Sequence, residues 1–246
     1  MVIDIHAHLW DGNFDENKRE ILKACEQYSI DKVYISSLGV QFPDEEEVAR
    51  LNHGTAEFMR EAPDRIGGFC YINPIHGNAL CELQKGVEEY GMSGMKLWIA
   101  TYCDDPRVFP LVEKCIDYNI PILVHAFHKA VGQLECESLG ANVARLAGIY
   151  PDARIIMAHL GANCYRELKP ICHLKNVSVD ISGSIFRCDD VVYTKKMVGA
   201  DRVLFGSDMP GASFLVNYGQ IKGADLDDHE RELIFYKNAL NILKRG

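Results

Sequence analysis

The sequence predicts one α/β domain spanning residues 1–246 and folded as a (β/α)8 barrel of the TIM type. Two observations predict it. Short apolar runs alternate with amphipathic stretches about eight times along the chain. The runs also end in polar residues, which is where a barrel carries its chemistry.

The elements follow in order. The first run, residues 2–9, ends in His6-Ala7-His8, and residues 16–29 read as the helix after it. The second run is 32–38. Pro43-Asp44-Glu45-Glu46 then starts a helix with acids in its first turn, where they complement the helix dipole. Further runs lie at 66–73, 94–100, 120–126, 154–160, 177–182 and 202–208. Helix-like stretches at 78–90, 106–119, 138–150 and 189–197 fill the later gaps, and 227–244 reads as a closing helix. Strands alternating with crossover helices imply a parallel sheet. Eight units in about 250 residues fit a closed barrel. A doubly wound open sheet is the alternative and would need only five or six strands. Pro210, just past Asp208, is expected to end the eighth strand.

His6 and His8 are two apart on a strand, so they project from the same face. Two imidazoles on one strand are half of a metal site. The later runs supply more. The fifth ends in His125, the sixth in His159 and the eighth in Asp208, while the fourth carries Lys96. Buried charge is costly unless paired or metal-bound, so polar groups here need a reason, and a shared metal site supplies one.

Composition is that of an ordinary globular enzyme, 48% hydrophobic and 25% charged. The net charge of −9 gives no global attraction to nucleic acid or to an anionic membrane. No apolar run approaches the ~18 residues of a membrane span. The nine cysteines are scattered, odd in number and free of Cys-X-X-Cys pairs. With no leader before the first strand, reduced thiols in a cytoplasmic protein are expected.

Taken in order, His6 and His8, Lys96, His125, His159 and Asp208 make the chain resemble the amidohydrolase superfamily of metal-dependent barrels. Within it the chain is similar to the amidohydrolase-related branch, which includes aminocarboxymuconate-semialdehyde decarboxylase and metal-dependent lactone hydrolases. Residues 52–74, Gly94-Met95-Lys96-Leu97 and Asn238-Ala239-Leu240-Asn241-Ile242-Leu243 carry the likeness across nearly the whole chain.

The resemblance implies the metallo-dependent hydrolase fold and one divalent metal held by His6, His8, His125 and Asp208. Zinc is the first expectation, with manganese, iron, cobalt and nickel compatible with the same donors. Asp208 and His159 are the implied catalytic residues. His159 would contact metal-bound water or substrate, and Asp208 would accept a proton. Lys96 sets the metal count: carbamylated, it would bridge a second metal, whereas the branch pattern implies one. An acid rather than a lysine stands at this position in the nucleases of the superfamily, so Lys96 argues against that activity. Asp4 is read as structural. Lys96, His128 with Lys129, Trp98 and Arg187 are candidate substrate contacts, and Trp10, Phe127 and Phe186 candidate walls. Arg187 suits a substrate carboxylate by bidentate geometry.

The implied function is hydrolysis, with metal-activated water attacking a C–O or C–N bond of a lactone, ester or amide. The alternative is a metal-dependent non-oxidative decarboxylase, a lyase acting on a small unsaturated or aromatic acid. A non-catalytic metal-binding barrel is the third reading. The partner expected is a small molecule, neither nucleic acid nor membrane, and the resemblance implies a homodimer.

Overall fold

A computed structural model describes residues 1–183 and 187–244. Eight parallel strands form one sheet in the order of the sequence. They are β1 (Ile3–Trp10), β2 (Lys32–Leu38), β3 (Ile66–Ile72), β4 (Gly94–Leu97), β5 (Ile122–Val124), β6 (Ile155–Met157), β7 (Val177–Asp180) and β8 (Val203–Leu204). The crossovers carry α1 (Phe14–Tyr28), α2 (Glu45–Glu61), α3 (Ala79–Glu88), α4 (Phe109–Asp117), α5 (Gly140–Ile149), α6 (Cys164–Glu167) and α7 (Cys188–Val198). After β8 come α8 (Phe214–Gly223), α9 (Asp228–Glu232) and α10 (Asn238–Ile242).

The eighth strand is far shorter than residues 202–208. Its regular part stops at Leu204, well before Pro210, yet the barrel still closes. Ile5 N donates to Phe205 O, Asp208 N to His6 O and His8 N to Met209 O, over 2.7–3.0 Å. Asp208 has a φ of 62°, so the chain leaves the strand conformation there and turns its carboxyl towards β1. Aspartate tolerates this left-handed region better than most residues. Residues 227–244 are likewise not one α-helix, because a π-helical turn, Leu233–Lys237, separates α9 from α10.

Local chemistry sets the helix starts. Asp44 caps α2 in a reciprocal box: its carboxylate accepts from Glu47 N at 2.8 Å, and Glu47 accepts from Asp44 N at 2.9 Å. Glu45 and Glu46 lie in that first turn as expected, joined by Glu47.

Alternation divides the strands into two faces. Val33, Ile35, Met95, Leu97, Ile122, Val124, Ile155 and Met157 pack outward into the main core under the helices. Ile5, Phe69, Leu123, Ile156 and Leu204 gather with Ala239 and Ile242 of α10 in a separate cluster, with Tyr34 packed on it. This inner layer fills the barrel, so any site must lie above it. All nine cysteines are free, and no described helix is long and apolar enough to cross a membrane.

Candidate metal centre

The polar groups converge above that layer, where the strands end. His6 and His8 rise from β1, and Lys96 points in from β4. His125 follows β5 directly. His159 lies two residues past β6 in a turn where His159, Leu160 and Gly161 all have positive φ. Asp180 ends β7, and Asp208 sits in the extension of β8. His6, His8, Lys96, His159 and Asp180 are all buried.

Hydrogen-bond partners assign the imidazole tautomers. His6 Nδ1 lies 3.0 Å from Asp180 Oδ2 and 2.9 Å from Ser182 Oγ. The serine proton is donated to Asp180, so His6 Nδ1 carries a hydrogen. His8 Nδ1 lies 3.0 Å from Ser36 O, a carbonyl that only accepts, so it too is the protonated nitrogen. Both Nε2 lone pairs then face inward, 3.0 Å apart. Asp208 Oδ1 is 3.2 Å from His8 Nε2 and 3.9 Å from His6 Nε2. Three acceptors this close call for positive charge beside them; Lys96 Nζ meets His6 Nε2 at 2.8 Å, and a metal ion among the three would meet them all. Neutral imidazoles backed by carboxylate and carbonyl acceptors are the usual setting of histidine metal ligands. The donor set therefore fits a divalent ion.

Burial and neighbouring charge tune the cluster. Burial, followed by the charge of Lys96, holds His6 well below the ordinary histidine range. Burial also lowers His125, and it takes His159 down to about 4. Lys96 falls to about 8, again through burial, and its Nζ is 2.8 Å from His6 Nε2. Burial alone would raise Asp208, but the His8 hydrogen bond and the adjacent imidazoles outweigh it and hold the carboxyl well below its usual range.

Not every expected group joins the triangle of His6, His8 and Asp208. His125 stands beside it, with Nδ1 at 3.1 Å from His159 Nε2 and Nε2 at 2.9 Å from Glu137 Oε1. His159 Nδ1 is engaged by Ser182. A second donor group, His6, His159 and Asp180, also has its ligand atoms within 4.8 Å of one another. Lys96 bonds to His6. Asp4 accepts from the His6 and Ser207 N–H groups and so ties β1 to the β8 extension. His128 Nδ1 lies 3.2 Å from Glu167 Oε1, and exposed Arg187 donates to Tyr165 Oη at 2.9 Å. Phe186 lies outside the described residues.

Aromatic rings flank the cluster. The Trp10 ring meets His8 at 5.5 Å and Trp98 at 5.9 Å. Phe127 stacks on His125 at 5.8 Å with an interplanar angle of 7°. Gly183, with a φ of 84°, lies against the cluster: a Cβ there would lie 2.8 Å from His159 Nδ1.

Asp180, Ser182, Ser36 and Glu137 were not singled out by sequence reasoning. Asp180 and Ser182 had a signal, since both stand at the end of the seventh apolar run. Ser36 acts through its backbone, and Glu137 lies in a loop with no periodicity to mark it.

The fold and the centre define the class, a (β/α)8 enzyme with a cation-binding cluster at the C-terminal mouth of the barrel. The chain belongs to the amidohydrolase family, whose model matches residues 3–245. No curated protein matches the sequence. Several solved structures share the fold. One is a 2,6-dihydroxybenzoate decarboxylase from Rhizobium, with TM-score 0.79, 19% identity and 98% of each chain covered. Another is a dihydroxybenzoic acid decarboxylase from Polaromonas sp. JS666 with bound manganese and the inhibitor 2-nitroresorcinol, with TM-score 0.79, 18% identity, and 98% of this chain and 96% of that one covered. A 4-oxalomesaconate hydratase from Rhodopseudomonas palustris has TM-score 0.74 and 17% identity, with 99% of this chain and 95% of that one covered.

Proposed function

We propose that this protein is a metal-dependent, non-oxidative decarboxylase of a small planar acid, aromatic or conjugated. The observation that carries the reading is the set of aromatic rings packed on the donor cluster, Trp10 against His8 and Phe127 stacked on His125, which would frame a substrate slot. Such a slot suits a flat ring better than a tetrahedral reaction centre with bulky substituents. The dihydroxybenzoate decarboxylases of the same fold support this reading over hydrolysis, the first expectation from sequence.

His6, His8 and Asp208 would hold the metal, with His125 completing the set through Nδ1. Manganese joins zinc as a leading candidate, because the Polaromonas enzyme holds it. When bound, the ion would supply Lewis acidity that anchors and polarises the acid. Lys96 adds a buried positive charge beside the centre for the substrate carboxylate. Loss of carbon dioxide leaves an electron pair on carbon, which takes up a proton. Asp208 and His159, both unprotonated at neutral pH, would relay that proton to the carbon from solvent or from the substrate's own acidic group, with His159 held in one tautomer by Ser182. The half-buried rings of Trp10, Trp98 and Phe127 would shield the centre from water and weaken the solvation that stabilises the carboxylate ground state.

The test loads the full-length protein with Mn²⁺ or Zn²⁺ and assays a panel of hydroxybenzoic and conjugated acids for carbon dioxide release. A parallel panel of lactones, esters and amides is assayed for hydrolysis. Carbon dioxide release that disappears in His8→Ala is the expected result. Turnover confined to the lactone, ester and amide panel would overturn the decarboxylase reading and restore the hydrolase.

A further inference from the structure

Each inward-facing imidazole is gripped from behind by an acceptor. For His6 it is Asp180 at the end of β7 and for His8 the Ser36 carbonyl of β2, both supplied by other strands. For His125 it is Glu137, which comes from the loop between β5 and α5, twelve positions further along the chain.

Glu137 is only 3% exposed, yet it is fully engaged. Oε1 takes the His125 Nε2 hydrogen at 2.9 Å. Oε2 accepts from Lys129 Nζ at 2.8 Å, from Gln133 Nε2 at 2.9 Å and from Leu134 N at 3.4 Å. Burial would raise this carboxyl, but the hydrogen bonds from His125 and Lys129 outweigh it and lower it. Every donor comes from the same loop, so Glu137 is fixed in place by the segment it closes. The same loop carries Phe127 onto the face of His125. The ring is therefore held by its face and by its edge. Turning it over would leave a buried carboxylate short of a donor, which is costly.

We propose that Glu137 is the positioning residue that commits His125 to the metal centre through Nδ1. The loop that walls the substrate slot thereby also sets the orientation of a ligand. The proposal rests on the metal-centre reading given above. It goes further by assigning a role to a residue outside the donor set and by making ligand geometry depend on this loop.

The test uses full-length wild type, Glu137→Ala, Glu137→Gln and His8→Ala, stripped of metal and titrated with Co²⁺ alone. Affinity and the visible absorption spectrum of the bound ion are read, together with the melting temperature of each metal-free form. Glu137→Ala is expected to weaken Co²⁺ binding about 10–100-fold and to change the spectrum. Glu137→Gln keeps the size and one acceptor oxygen and should fall between Glu137→Ala and wild type, with little change in melting temperature. Wild-type affinity and spectrum in both variants, whatever their melting temperatures, would overturn the proposal and leave Glu137 a loop clasp. If Glu137→Ala does not fold, Glu137→Gln decides alone, and unchanged binding overturns the proposal. Failure of wild type to bind Co²⁺, or undiminished binding by His8→Ala, would instead overturn the metal-centre reading itself.

Discussion

Leu123 and Lys96 are register neighbours on adjacent strands, both pointing into the barrel, and their surroundings differ completely. Leu123 packs with Ile5, Phe69, Ile156 and Leu204 in a dry layer sealed by α10. Lys96 reaches the other way, to within 2.8 Å of His6, among carboxylates and imidazoles. One ring of strands thus carries an apolar plug at one end and a cluster of buried polar groups at the other. The plug holds the strands at fixed spacing. The cluster uses that spacing to bring groups together that would be too costly to bury singly. Substitutions in the plug should therefore act on stability, and substitutions in the cluster on binding and chemistry.

The largest effect expected is from Asp208→Asn. It preserves shape but removes the negative charge from the donor set and, on the proposed reading, a proton carrier. Turnover should fall to the uncatalysed background while the circular dichroism spectrum is unchanged. Loss of fold along with activity would blur the division between the two ends. Next comes Phe69→Ala in the plug, which should cost about 3–5 kcal/mol in urea unfolding through the cavity it leaves. Metal affinity of the molecules that remain folded should be unaltered, and a matching fall in affinity would break the comparison.

A smaller effect is pH-dependent and belongs to the metal-free protein. His159 is held at about 4 against an ordinary 6.5. Between those values the unfolded chain takes up a proton that the folded chain refuses. Stability from this group is therefore complete above 6.5 and is lost as pH falls towards 4. Lowered His6 and His125 act in the same direction. Asp4 opposes them: burial pushes it up to about 7 from 3.8, so its contribution is present at low pH and lost as pH rises through that range. The three histidines should outweigh it, giving a metal-free protein more stable at pH 7 than at pH 5 by more than about 1 kcal/mol. Asp4→Asn should steepen that dependence, and a flat urea midpoint between the two pH values would count against the assignments. The smallest expected effect is from Phe127→Leu, which removes one face of the slot. It should raise KM severalfold, corresponding to about 1 kcal/mol, with little change in kcat.

The barrel was legible because parallel strands covered on both faces read as continuous apolar runs. The site was legible because His6, His8, His125, His159 and Asp208 interrupt or end those runs. What escaped did so for physical reasons. The eighth strand was read too long, to 208, because Phe205 continues the apolar run while the backbone turns beyond it to aim Asp208. Helix α8 was missed: Phe214-Leu215-Val216 reads as an apolar run, and Gly219 and Gly223 weaken a helical pattern. Glu137 and the Ser36 carbonyl act through contacts that only the closed barrel creates. Asp180 could have been found by applying the strand-end rule to the seventh run.

Metal content per chain, measured on the purified full-length protein beside His8→Ala, tests the central claim most directly. About one divalent ion per wild-type chain, absent from a folded His8→Ala, is the result expected from the converging His6, His8 and Asp208 donors. A wild-type chain that takes up no metal even after reconstitution with Mn²⁺ or Zn²⁺ would contradict it.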